Sequence, residues 1–191
     1  ELKFVTRIHN KDEAVKTVWE INESGFDNIS IDLMFNLPNQ TKEIWRSNLE
    51  QAAKLPIKHI SAYSLSLERG TILNKMVLDG KVKIEDADYD AELYEIGIDF
   101  LETNGFRQYE VSNFAKEGYE CVHNKIYWEH KEYLGFGTSS HSFIDEKRWW
   151  NFSNLSLYIK SIEEKNEAVA NRESLTKEKL FEEYVMLNLR S

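Results

Sequence analysis

The sequence predicts an α/β fold, a parallel sheet with helices outside, and three neighbouring stretches carry that prediction. Asn28-Ile29-Ser30-Ile31-Asp32-Leu33-Met34-Phe35 alternates in the manner of a strand. Residues 59–67, His59-Ile60-Ser61-Ala62-Tyr63-Ser64-Leu65-Ser66-Leu67, form a second strand-like run. Between them Ile44, Trp45, Leu49, Ala52 and Ala53 recur at helical spacing. Strand, helix and strand joined by short links predict parallel neighbours with helices outside. Whether the sheet closes is left open.

The elements follow in order. Residues 10–23 predict a helix through Ala14, Val15, Val18, Trp19 and Ile21, with Asn10 and Glu13 as an N-cap pair and Gly25 as its stop. In the first strand Ile29, Ile31 and Leu33 should face the helices, leaving Ser30, Asp32 and Met34 on the inward side. The loop Leu37-Pro38-Asn39-Gln40-Thr41 ends in a helix cap. After residues 68–84, which have no clear period, a helix is predicted over residues 88–103 on the stripe Tyr89, Leu93, Ile96, Phe100 and Leu101. Residues 106–112 read as another strand. Over residues 113–151 aromatics and glycines crowd together without a period, predicting loops and short strands. Two helices are predicted beyond, near residues 155–166 and 177–189. The domains expected are a partial barrel over residues 1–112 and an extension over residues 113–191. Neither end of the chain reads as the boundary of an element, so a piece of a longer protein is expected.

Composition narrows the function classes. A hydrophobic fraction of 41% supplies a packed core. The net charge is −9 and the basic residues are scattered among acidic ones, which argues against a nucleic-acid footprint. A single cysteine, Cys121, rules out a disulfide within the chain and suits a reducing, cytoplasmic setting. No apolar run approaches membrane-spanning length.

Several residues invite chemistry. Asp32 is a carboxylate in mid-strand, which burial would penalise without a partner. At the inward face it suits a ribose hydroxyl or an amine; a structural ion pair with an arginine explains it equally well. Ala62, Ser64 and Ser66 make one face of the second strand small, either to leave room for a ligand or because neighbours cross closely. Cys121, His123, Tyr127 and Trp128 lie together in the sequence, and a histidine beside large rings suits a metal or a haem iron. A lone histidine there is more often a hydrogen-bonded loop residue, and a lone cysteine a small buried hydrophobe. One cysteine and one histidine do not make a four-ligand zinc site. Gly135-Phe136-Gly137 lacks the third glycine of a dinucleotide loop. His141 is ambiguous, and the acidic pairs Glu163-Glu164 and Glu182-Glu183 read as solvated helix faces.

Taken together, these segments resemble one family. The order is Arg7-Ile8-His9, the Asp32 strand with Leu37-Pro38-Asn39-Gln40-Thr41, Ile60-Ser61-Ala62-Tyr63-Ser64-Leu65, and Gln108-Tyr109-Glu110-Val111-Ser112-Asn113-Phe114-Ala115. The run Tyr133-Leu134-Gly135-Phe136-Gly137 with His141-Ser142, and Trp149-Trp150-Asn151, complete it. It is similar to radical-SAM proteins of the oxygen-independent coproporphyrinogen III oxidase type. Within that group His123-Asn124-x-x-Tyr127-Trp128 resembles the motif of the haem-chaperone, HemW-like branch. The resemblance implies a partial (β/α)6, TIM-like barrel with a 4Fe-4S cluster and S-adenosylmethionine. It implies a haem chaperone serving respiratory acceptor proteins, with the oxidase as the alternative. Carried over by position, Arg7, Asp32 and Ser66 would contact S-adenosylmethionine, and His123, Asn124, Tyr127 and Trp128 would contact haem. The family's three cluster cysteines have no counterpart here, so the cluster ligands are expected upstream and a small C-terminal domain downstream. The family usually has glycine where Asn36 and Asn39 stand, and small residues where Thr138-Ser139-Ser140 stand.

Overall fold

A computed structural model describes residues 1, 2, 4 and 7–190. Two compact units are present, Glu1–Glu120 and Cys121–Ser191.

The first unit opens with α1 (Lys11–Glu23), whose N-terminus is tied by a capping box between Asn10 and Glu13. Then come β1 (Ser30–Phe35), α2 (Lys42–Ala53, capped by Thr41) and β2 (His59–Ser64). β1 and β2 are parallel, as a strand–helix–strand unit requires. Residues 68–84, aperiodic in the sequence, include the short helix α3 (Ile72–Leu78). α4 (Ala87–Thr103) starts at Asp86, which accepts from the Tyr89 N–H.

The next segment departs from an all-parallel sheet. β3 (Arg107–Glu110) and β4 (Asn113–Ala115) form a hairpin, and β4 rather than β3 pairs with β2, antiparallel. The strand order is β1-β2-β4-β3. The sheet therefore continues to Ala115, past residue 112, where the sequence suggests a boundary. The cause is the two-residue link Val111-Ser112, too short for the crossover that a parallel neighbour needs.

One face of this sheet carries the core. Ile29, Phe35, Ile60, Ala62 and Phe114 meet Val18 of α1, Trp45, Leu49 and Ala52 of α2, and Leu93 and Leu101 of α4. Trp45 is 1% exposed and its indole N–H donates to the Leu93 carbonyl at 2.9 Å. By area, burying an aromatic side chain of this size is worth about 4–6 kcal/mol. Gly97 lets α4 come close: a Cβ there would meet the Trp45 ring at 3.5 Å. Ile44, Trp19 and Ile21, placed on buried stripes by periodicity, are more than a third exposed.

The second unit contains α5 (Val122–Trp128), β5 (His141–Ile144), β6 (Lys147–Asn151), α6 (Leu155–Lys165), β7 (Val169–Ser174) and α7 (Lys177–Asn188). The strands make an antiparallel sheet in the order β5-β6-β7. Two elements differ from the sequence expectation. The stretch around His123 is helical rather than loop. β7 is a strand with an irregular burial pattern, which period alone does not reveal. Among the described residues no helix is long and apolar enough to cross a membrane.

Candidate functional site

In the first unit, the sheet face away from the core is polar. Register places Ser30, Asp32 and Met34 beside His59, Ser61 and Tyr63 there. Asp32 is exposed and makes no hydrogen bond or ion pair among the described residues. Next to it runs a short chain of polar groups: Ser30 Oγ lies 2.8 Å from His59 Nδ1, and His59 Nε2 lies 2.8 Å from the Tyr109 hydroxyl. Burial lowers the His59 pKa, while the negative charges of Asp32 and Glu110 oppose that shift. Glu110 is itself buried and accepts from the Ser112 N–H at 2.9 Å and from the Asn113 amide.

The face of small residues in β2 turns the other way. Ala62 is in the core, and the Ser64 hydroxyl donates to Asp90 of α4. The small side chains let α4 approach; they do not open space on the polar face. Ser66 lies beyond β2 and is exposed, as is Arg7. Arg7 and Asp32 are not joined by an ion pair among the described residues.

At the C-terminal end of β1 the chain turns through two left-handed residues, Asn36 (φ 57°) and Asn39 (φ 62°). Glycine takes this conformation most readily, and asparagine tolerates it better than other side chains do. Asn36 also donates to Asp90 at 2.8 Å, which a glycine would not. Ser139, at φ 59°, repeats the pattern in the second unit. Buried Gln40 donates to Glu1 at 2.6 Å, while its side-chain oxygen has no hydrogen-bond partner.

The second unit holds the other candidate residues on and around α5. His123 and Tyr127 are one helical turn apart, so they share a face. Their rings meet edge-on at 4.8 Å, and Tyr127 meets Tyr133 at 4.6 Å. His123 is exposed and Asn124 partly buried. Trp128 faces Arg190, whose guanidinium sits 4.9 Å from the ring centre. Its indole N–H is buried without a hydrogen-bond partner.

Tyr127 opens onto a cavity of about 420 Å³. Tyr133, His141 and Trp150 continue its aromatic wall, and Met186 and Leu187 of α7 add apolar surface. Its charged side is a closed cluster. Arg148 donates to both carboxylate oxygens of Glu183, at 2.9 and 2.7 Å, and to Glu173 at 3.2 Å. His130 Nε2 lies 3.0 Å from Glu183. Arg148 and His130 hold the Glu183 carboxyl below the ordinary carboxylate range, and Glu183 raises the Arg148 pKa. Glu183 is thus not part of a solvated acidic face, as its sequence context suggests. Its neighbour Glu182 is exposed. The only signal available in the sequence was spacing: Glu183 lies three residues before Met186 on the α7 face that reaches the cavity.

A scan against protein-family models finds no match. The chain is 36% identical over 189 residues to a curated relative from Bacillus subtilis named Heme chaperone HemW, covering 99% of this chain and 50% of that one. A Lactococcus lactis relative of the same name is 35% identical over 189 residues. The chain is thus similar to proteins named HemW along nearly its whole length. A zebrafish (Danio rerio) relative named radical S-adenosyl methionine domain-containing protein 1, mitochondrial, is 34% identical over 197 residues, covering 44% of its length. Among solved structures, Escherichia coli coproporphyrinogen III oxidase (HemN), described as a radical SAM enzyme, superposes with a TM-score of 0.76. That likeness covers 99% of this chain and 46% of that one at 20% identity, so it speaks to fold. The chain spans about half the length of the curated relatives it matches.

Proposed function

We propose that the protein carrying this chain is a haem chaperone, binding haem and passing it to respiratory acceptor proteins in the cytoplasm. The carrying observation is the similarity, over 99% of the chain, to relatives named for that role. The arrangement of α5 supports it. His123 is exposed at the start of the helix, braced by Tyr127, and stands as a candidate axial ligand. Asn124, Tyr127 and Trp128 belong to the same short helix and shape its surroundings.

Titrating ferric haem into the intact protein and its His123→Ala variant tests this reading. Affinity should fall on the order of tenfold or more in the variant. Unchanged affinity removes His123 from the role.

For S-adenosylmethionine, the donor set on the first unit fits a small ligand bearing an ammonium, a carboxylate and ribose hydroxyls. Asp32 is an exposed carboxylate without an ion pair, and Arg7 and Ser66 offer a guanidinium and a hydroxyl. We assign the contacts with that cofactor to these residues. Asp32→Ala should weaken its binding in an equilibrium dialysis measurement. A 4Fe-4S cluster does not fit the residues present, because one cysteine does not supply the thiolates it needs.

The second reading is an oxygen-independent coproporphyrinogen III oxidase, favoured by the HemN-like fold. It requires porphyrinogen-dependent turnover of S-adenosylmethionine by the cluster-loaded protein, and absence of turnover would dismiss it.

A further inference from the structure

We infer that His141 is a haem-iron ligand, and that the cavity bounded by Tyr127, Tyr133, Trp150, Met186 and Leu187 seats one edge of the tetrapyrrole. The inference rests on the haem reading above and adds a site to it: His141 lies outside the His123–Trp128 motif.

Four observations carry it. The first concerns availability. Two imidazoles line the cavity, and His130 is engaged by Glu183 and stacked on Phe143 at 4.9 Å. His141 is exposed and its ring makes no hydrogen bond among the described residues.

The second concerns placement. His141 begins β5 opposite Trp150 of β6, and the two rings stack at 5.6 Å and 24°. Behind it, Gly135 packs directly on the His141 backbone. A Cβ at Gly135 would overlap the His141 carbonyl oxygen and lie 2.9 Å from Ser140 Cβ. The Gly135 N–H donates to the buried Ser142 hydroxyl at 3.0 Å, and Tyr133 and Phe143 exchange backbone hydrogen bonds at 2.9 Å each. The histidine is therefore held from both sides, as a metal ligand must be.

The third concerns ligand chemistry. The walls are mostly rings and aliphatic chains, and the one cation among them, Arg148, is already neutralised by Glu183 and Glu173. This favours the apolar edge of a flat ring over an anionic group, so the propionates of a haem would lie outside the cavity. Finally, no group of three His, Cys, Asp or Glu among the described residues would hold a bare ion. A haem iron brings four nitrogens of its own and asks the protein for an axial base only.

Ferric haem titrated into the intact protein, read by the Soret band and by low-temperature EPR, tests this with His141→Gly, His123→Ala and Trp150→Leu. Expected in His141→Gly is a changed spin state and affinity lower on the order of tenfold or more, with added imidazole restoring the wild-type spectrum. Imidazole rescue separates a lost ligand from a misfolded site. Trp150→Leu should broaden the EPR signal by releasing the imidazole plane. If His141→Gly keeps the wild-type spectrum and affinity while His123→Ala loses them, His141 is not a ligand and the inference falls alone. If the wild-type protein binds no haem, the chaperone reading falls with it.

Discussion

The two units differ in how they spend their apolar side chains. The first buries Trp45, Phe106, Phe114, Leu49, Ile57, Ile60, Leu93 and Leu101 almost completely; among the largest side chains buried to that depth in the described residues, the second contributes Ser142 alone. The first is a sheet with helices packed on one face, its helix starts capped by Asn10, Thr41 and Asp86. In the second, α5 and α7 bury no residue fully, and rings that would otherwise fill a core line an open cavity. A scaffold gains from close packing, because each methylene hidden from water stabilises it. A site that must admit a ligand of ring dimensions leaves its aromatic surface partly uncovered. On the function proposed above, the contrast is one of role.

Substitutions sharpen that contrast in descending order of effect. Trp45→Ala removes the largest buried side chain and its hydrogen bond to Leu93, and should cost about 3–5 kcal/mol in a urea unfolding curve. A small effect would mean that the first unit is not organised around α2. Gly135→Ala places a methyl group against the His141 carbonyl, and about 1–3 kcal/mol is expected, with haem affinity falling in parallel. An intact, fully stable variant would show that Gly135 does not pack closely on the His141 backbone.

Glu183→Gln should cost about 1 kcal/mol at neutral pH, since the pair it breaks is a charge-assisted one with partial solvent access. Its pH dependence is more telling. The Glu183 carboxyl is depressed in the folded state, so its contribution is complete above the unfolded value and is lost as pH falls through the carboxylate range, below about 4.3. Wild type should lose stability on acidification more steeply than the glutamine variant, and parallel curves would take Glu183 out of the account. The smallest effect is expected from Asn39→Gly. It relieves a left-handed backbone at an exposed position but adds freedom to the unfolded chain, for a net change within about 0.5 kcal/mol.

The first unit was the more legible in sequence. Residues of α1, β1, α2 and α4 announce themselves by period, and Asn10 and Thr41 mark where two of the helices begin. What period did not supply was direction. Ala62 and Ser64 look like the lining of a hollow until the register shows them facing α4. The β3–β4 hairpin escaped because residues 106–112 read as one continuous strand, without a glycine or asparagine pair to mark a turn. In the second unit the motif residues stood out by type, yet their helix did not, since α5 is only two turns long and its rings crowd against those of neighbouring segments. His130, Arg148 and Glu183 were out of reach: they come from three elements, and only the folded chain brings them together. For the same reason His141 gave no clear signal until Gly135 was seen behind it.

The strand order β1-β2-β4-β3 also has a kinetic meaning. Pairing β1 with β2 requires α2 to form between them, a closure over tens of residues, whereas β3 and β4 are separated by two residues and find each other locally. Hairpins of this kind form in about 1–10 μs, faster than long-range strand pairing. The join between β2 and β4 is therefore expected to be made by a ribbon that is already paired.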